Sequence, residues 1–268
     1  MSLAPGRRLA LQALAALPVA WPAGAAAVPV CTLVVDAATG ATLRRDGQPD
    51  QRATPASTFK IPLALMGFDA GFLRDAHHPA LPFRPGDADW LPEWRRATDP
   101  AAWMRHSVVW YSQRITQALG AARLRRYVSD FGYGNADVSG DPGRANGLAR
   151  SWIGSSLEIT PAQQVAFLGR LVRGELPVSA QARAMTEALV DQGEYPNGWR
   201  VFGKTGGARS RGADAAQPSG WFVGWARRGD RTVVFARLTR GRPPEPGFPG
   251  PAARDAFLGE FFAGRDGF

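Results

Sequence analysis

Strand-forming runs stand at the two ends of this chain with a long helical stretch between them, and that order limits the folds open to it more than any other feature. Near the start, "CTLVVDAATGATLRRDG" holds a β-branched run, a turn containing Thr39 and Gly40 and a second short run, the pattern of a hairpin. From Val201 onward come "RVFGKTGG", "SGWFVGWA" and "TVVFARLT". In the second of these, Trp221, Val223 and Trp225 share one face. Residues 56 to about 192 read as mostly helical. The clearest segment is "ITPAQQVAFLGRLV", with Thr160 as N-cap, Pro161 at the first helical position and Gln163 completing a capping box, while Val165, Leu168 and Val172 recur at helical spacing. A last helix is expected from Ala252 to Ala263, and the Pro-rich stretches Pro79 to Pro100 and Pro243 to Pro251 read as long surface loops. The expected fold is α+β: an antiparallel sheet built from both ends of the chain and flanked by helices, a mainly helical lobe inserted between, and a cleft where the lobes meet. In residue terms, 28–55 and 200–268 form the sheet lobe and 56–199 the helical lobe of one domain.

With 268 residues and 45% hydrophobic content the chain can bury a substantial core. Its net charge of +9 comes from arginines scattered along the sequence, without a basic run interleaved with aromatics, so nucleic acid is not an expected partner. Residues 1–27 have the form of an export signal: Arg7 and Arg8, an apolar stretch from Leu9 to Trp21, and small residues at Ala25 to Ala27. That stretch is short for a bilayer and is interrupted by Pro18 and followed directly by Pro22, so a stable membrane span is not expected. Cys31 is the single cysteine, which excludes an intrachain disulfide. His77, His78 and His106 lack metal-ligand spacing, so no metal is expected, and no phosphate-cradling loop is present.

Thirty arginines stand against two lysines, Lys60 and Lys204. Arginine holds its proton, whereas a lysine amine loses it on burial and can then act as base or nucleophile, so these two positions are where arginine would fail. Lys60 closes "STFK". A helix starting after Pro55 sets Ser57 and Lys60 at i and i+3, on one face, and a desolvated amine there can deprotonate the hydroxyl. The N-terminus of that helix also turns a free backbone N–H toward a developing oxyanion. Lys204 opens "KTGG" at the end of a strand run, where glycines allow a ligand to approach the backbone. Taken singly, S-x-x-K also fits a helix cap and K-T-G a strand exit. With the only two lysines in both, serine acyl transfer is the leading reading.

Four ordered motifs, "STFK" (57–60), "SVV" (107–109), "YGN" (133–135) and "KTG" (204–206), together with "SWIGSSLEIT" around Trp152 and "GWFVGW" (220–225), resemble the class D serine β-lactamases, the oxacillinase type, across nearly all of the chain after the export signal. No "SDN" of the class A type follows "STFK". The resemblance implies that Ser57 is the acylated nucleophile and Lys60 its base, carboxylated on its amine by carbon dioxide, with no other cofactor. It implies that Trp152 donates to that carboxylate and Val109 shields it. Ser107 would relay a proton to the leaving nitrogen and Lys204 keep the site electropositive. The backbone N–H groups of Ser57 and Gly207 would form the oxyanion hole. Thr205, Gly206 and Arg254 would bind substrate, the last gripping its carboxylate, and Tyr133 and Asn135 would shape the helical-lobe side of the cleft. The implied activity is hydrolysis of the β-lactam ring in the periplasm, conferring antibiotic resistance. A penicillin-binding transpeptidase or carboxypeptidase, or a β-lactam sensor domain with a stable acyl-serine, would share the same motifs. Whether the chain is monomer or homodimer is left open.

Overall fold

The computed structural model describes residues 28–209, 217–241 and 248–264. The expected export signal, residues 1–27, lies outside them, as does part of the Pro243 to Pro251 stretch. Both ends of the chain enter one six-stranded antiparallel sheet of order β2-β1-β6-β5-β4-β3: β1 (Val28–Asp36), β2 (Thr42–Gly47), β3 (Asp191–Glu194), β4 (Arg200–Arg209), β5 (Pro218–Arg228) and β6 (Arg231–Arg240). The expected β1–β2 hairpin turns on Asp36, whose carboxylate accepts the amides of Ala38 at 3.0 Å and Thr39 at 2.8 Å, with Gly40 in the left-handed region. The short edge strand β3 falls within the stretch assigned to the helical lobe. Its sequence, "DQGE", carries no apolar alternation that would have marked it as sheet.

Alternation along the central strands buries both faces. Trp221, Val223 and Trp225 of β5 join the larger core with the helical lobe, while Phe222 and Ala226 join a second core. That second core lies under α7 (Pro249–Phe261), which begins three residues before the expected start because Pro249 and Pro251 fit its first turn. The helical lobe contains α1 (Lys60–Asp69), α2 (Pro100–His106), α3 (Val109–Asp130), α4 (Gly147–Arg150), α5 (Pro161–Val172) and α6 (Ala180–Val190). α3 breaks direction at Gly120, whose φ of 74° and ψ of 162° are not helical. α5 starts as read: Thr160 Oγ1 accepts from the Gln163 amide at 3.1 Å, and Gln163 Oε1 accepts from the Thr160 amide at 3.1 Å.

The stretch from Pro79 to Pro100 is not simply a surface loop. Leu81 and Thr98 form a β-bridge, and Trp94 and Thr98 are buried. The Trp94 indole donates to the His106 carbonyl at 2.9 Å, and the Trp94 carbonyl accepts from the Trp110 indole at 2.9 Å. Two aromatic side chains with polar ends pull the loop into the core while keeping those ends bonded.

Candidate active site

Ser57 lies in a 3-10 turn (Ala56–Phe59) that feeds into α1, so it occupies a tighter turn than the α-helical one its spacing suggested. Lys60, the first residue of α1, donates from Nζ to Ser57 Oγ at 3.2 Å. Lys60 as a whole is 1% exposed. Burial and then the charge of Lys204 hold its pKa well below the ordinary lysine value, which makes the neutral base form accessible. Ala56, just before the serine, has φ 49°, a conformation that a residue with a side chain holds only under constraint from its surroundings.

Those surroundings come from three directions. Thr54 Oγ1 donates to the Trp152 carbonyl at 2.9 Å and accepts from the Gly154 amide at 3.0 Å, and the Thr54 carbonyl accepts from the Trp221 indole at 3.0 Å. This ties the approach to Ser57 both to β5 and to the Trp152 loop. Trp152 is buried and stacks on Phe59, ring centroids 5.5 Å apart, beside Lys60 in the chain. Opposite lies the K-T-G strand: a methyl group added at Gly206 would come within 2.9 Å of the Pro55 carbonyl oxygen and 3.0 Å of Thr58 Cγ2. Glycine is required there because β4 passes directly against the nucleophile's turn.

Lys204 is 6% exposed and donates to the Thr205 carbonyl at 3.1 Å and Thr205 Oγ1 at 3.3 Å. Burial, aided by the charge of Arg254, pushes its pKa down to about 7. β3 pairs with β4 only at Arg200, Val201 and Phe202, so among the described residues no strand lies beside the edge of β4 from Lys204 onward. Gly207, paired with Gly220 on β5, is exposed on that edge. An extended ligand could lie along such an edge and bond to the backbone.

Ser107 caps α2 in the left-handed conformation, φ 58°, and its amide bonds to the Trp103 carbonyl. Its Oγ is buried without a hydrogen-bond partner among the described residues. Val109, buried, heads α3 two residues later.

Two groups differ from what the sequence suggested. Tyr133 is fully buried against Phe59 and Phe167, with its hydroxyl bonded by Gln164, and so has no surface to offer a substrate. Burial raises its pKa, opposed by hydrogen bonding between its hydroxyl and the side chains of Thr58 and Gln164. The Asn135 amide is committed to backbone, donating to Ser156 O at 2.9 Å and accepting from the Glu158 amide at 3.0 Å. Gly134 between them has φ 61°, and a methyl there would sit 2.2 Å from the Glu158 carbonyl oxygen. Y-G-N therefore clasps the Trp152-to-Glu158 loop, with Tyr133 buried and Asn135 exposed at the surface. Arg254, on α7, is partly exposed and donates from Nε to Asp255 at 2.8 Å, so a substrate carboxylate would share it with that ion pair.

Sequence reading passed over Thr54, Thr58, Phe59 and Gln164. One signal for Gln164 was present: it lies four and seven residues before Leu168 and Leu171, a polar side chain on the buried face of α5.

The penicillin-binding protein transpeptidase domain family matches residues 30–257. β-Lactamase OXA-9 of Klebsiella pneumoniae is 44% identical over 238 residues, covering 86% of each chain. β-Lactamase OXA-1 of Escherichia coli is 35% identical over 213 residues, covering 78% of this chain and 75% of that one. The crystal structure of OXA-427, a class D β-lactamase, superposes with a TM-score of 0.82 at 45% identity, covering 87% of this chain and 96% of that one. A match of this extent, joined to a buried lysine of lowered pKa beside a serine and an open K-T-G edge, places the chain in the penicillin-binding protein transpeptidase family and, within it, among the class D serine β-lactamases.

Proposed function

We propose that this enzyme opens the β-lactam ring of penicillin-type antibiotics by acylating and then deacylating Ser57, with Lys60 as the base in both halves after its amine has been carboxylated. The observation that carries the reading is the contact between a buried, readily neutral Lys60 amine and Ser57 Oγ at 3.2 Å. Only a neutral amine can add to carbon dioxide, forming an N–C bond and releasing a proton, and a water-poor pocket favours that form. The residues around Lys60 suit such a group: Phe59 and Trp152 are apolar and buried, and Val109 heads the neighbouring helix. When present, the carboxylate supplies an anionic base for the serine proton and later for water.

In acylation Ser57 Oγ loses its proton toward position 60 and bonds to the lactam carbonyl carbon. The ring C–N bond breaks, and the leaving nitrogen takes a proton by way of Ser107, whose Oγ has no partner among the described residues. The amides of Ser57 and Gly207 would stabilise the oxyanion, while Lys204, Thr205 and Arg254 draw in the substrate carboxylate. The signal-like residues 1–27 support export to the periplasm. Among the described residues, no helix is long and apolar enough to cross a membrane.

The test is hydrolysis of a chromogenic cephalosporin followed through many turnovers. Sustained turnover that falls in carbon-dioxide-depleted buffer and returns with bicarbonate is expected. A single stoichiometric burst would favour a transpeptidase or sensor, and turnover indifferent to bicarbonate would remove the carboxylated base.

A further inference from the structure

Beneath the reactive serine lies a polar cluster for which the catalytic motifs give no reason. Gln164, in the first turn of α5, is 1% exposed and donates from Nε2 to Thr58 Oγ1 at 3.0 Å and to the Tyr133 hydroxyl at 3.4 Å. Thr58 has one hydroxyl proton, and it goes to the Pro55 carbonyl at 2.7 Å, an oxygen that also accepts the Thr58 amide at 3.1 Å. A hydroxyl whose proton is committed can only accept from a further partner. Gln164 must therefore present its nitrogen to Thr58, since its carbonyl oxygen in that place would face another acceptor.

The chain of donation runs from α5 through Thr58 to Pro55, and so braces the turn on either side of Ala56 and Ser57. Ala56 is the left-handed residue of that turn. The braced carbonyl of Pro55 and the Thr58 side chain are also the surface against which Gly206 of the K-T-G strand is seated. One buried amide thus fixes both the conformation of the nucleophile's turn and its seat on β4.

We propose that Gln164 is a positioning residue for acylation: by holding Thr58 it keeps Ser57 Oγ within reach of Lys60 and aims the Ser57 amide at the developing oxyanion. It touches no reacting atom. The inference rests on the reading of Ser57 as the acylated residue. A hydrogen bond that merely stabilised the core would, when lost, lower the melting temperature and leave the acylation rate of the folded enzyme unchanged.

Single-turnover acylation by a chromogenic cephalosporin distinguishes the two. In Gln164→Leu the acylation rate constant is expected to fall on the order of 10²-fold, the scale set by small misplacements of a reacting group, with the half-saturating substrate concentration held. Gln164→Glu supplies the sharper signature. A neutral carboxylic acid donates to Thr58 and a carboxylate cannot, so the ratio of variant to wild-type acylation rate should decline as pH rises through the ionisation of that buried acid. Thr58→Ser should keep the rate, Thr58→Val should lose about as much as Gln164→Leu, and the double variant should be no slower than either single one. Full-rate acylation in folded Gln164→Leu, or a Gln164→Glu ratio flat with pH, would overturn the proposal. If Gln164→Leu does not fold, the Gln164→Glu profile and the Thr58→Ser and Thr58→Val pair decide it. Mass spectrometry finding no adduct on Ser57 in the wild type would instead bring down the serine reading, and this inference with it.

Discussion

Lys60 and Lys204 ask opposite things of the same functional group within one small volume. Lys60 must shed its proton to work, and burial together with the Lys204 charge holds its pKa well below the ordinary value. Lys204 must keep its proton to attract an anionic substrate, and burial leaves it a pKa of about 7. The substrate-free enzyme should therefore lose kcat/KM at acid pH, as the Lys60 amine protonates, and again as pH rises through about 7, as the Lys204 cation is lost. Carboxylation replaces a neutral amine near Lys204 by an anion, which favours the cation, so bicarbonate should move the alkaline limb upward. Profiles recorded with and without bicarbonate check this, and coincident alkaline limbs would contradict it. Stability should run the other way. The unfolded chain binds more protons than the folded one between about 7 and the free-lysine value of 10.5, so unfolding free energy should rise with pH across that interval. Arginine cannot deprotonate, so Lys60→Arg, which keeps the charge, should reduce steady-state turnover by at least about 10²–10⁴-fold, the range general-base catalysis supplies.

Among the secondary-structure elements, the decisive contact is between β4 and the turn that carries Ser57. In Gly206→Ala the new methyl meets the Pro55 carbonyl oxygen at 2.9 Å and the Thr58 amide nitrogen at 3.2 Å, both backbone atoms that cannot swing aside. Overpacking of this kind typically costs about 1–3 kcal/mol. The resulting shift of β4 from the serine should also lower kcat/KM on the order of 10²-fold. Gly259 on α7 gives the contrast. It is exposed and helical, and a methyl there meets nothing within 4 Å. Gly259→Ala should gain about 1 kcal/mol from helix propensity and leave hydrolysis unaltered. Thermal melts and steady-state rates on the two variants would show whether a glycine's role follows from the space around it.

Across the whole molecule the sheet separates two cores, one shared with the helical lobe and the reactive residues, the other under α7. Phe235, fully buried on the α7 side, packs in tilted contact with Phe257 at 4.5 Å and Phe222 at 5.1 Å, ring centre to ring centre. Phe235→Ala should cost about 3–5 kcal/mol of stability. Because its side chain points away from Lys204 and Ser57, kcat/KM per folded molecule should stay at the wild-type value well below the melting temperature. Denaturant titration alongside activity measures both quantities. A fall in kcat/KM matching the fall in stability would mean that the two cores are not separable.

What could be read from the residues alone was whatever depends on neighbours in sequence. Alternation placed Trp221, Val223 and Trp225 on one face, capping chemistry placed the start of α5 at Thr160, and i, i+3 spacing set Lys60 beside Ser57. Each follows from local backbone geometry, which a short window of residues determines. The strand order, the β3 edge, the burial of Trp94, the clasp made by Tyr133 to Asn135 and the brace from Gln164 to Thr58, 106 residues apart, came only with the tertiary structure. Such pairings are chosen by how the buried surface and hydrogen bonds of the entire chain are satisfied together, and no local pattern records that choice.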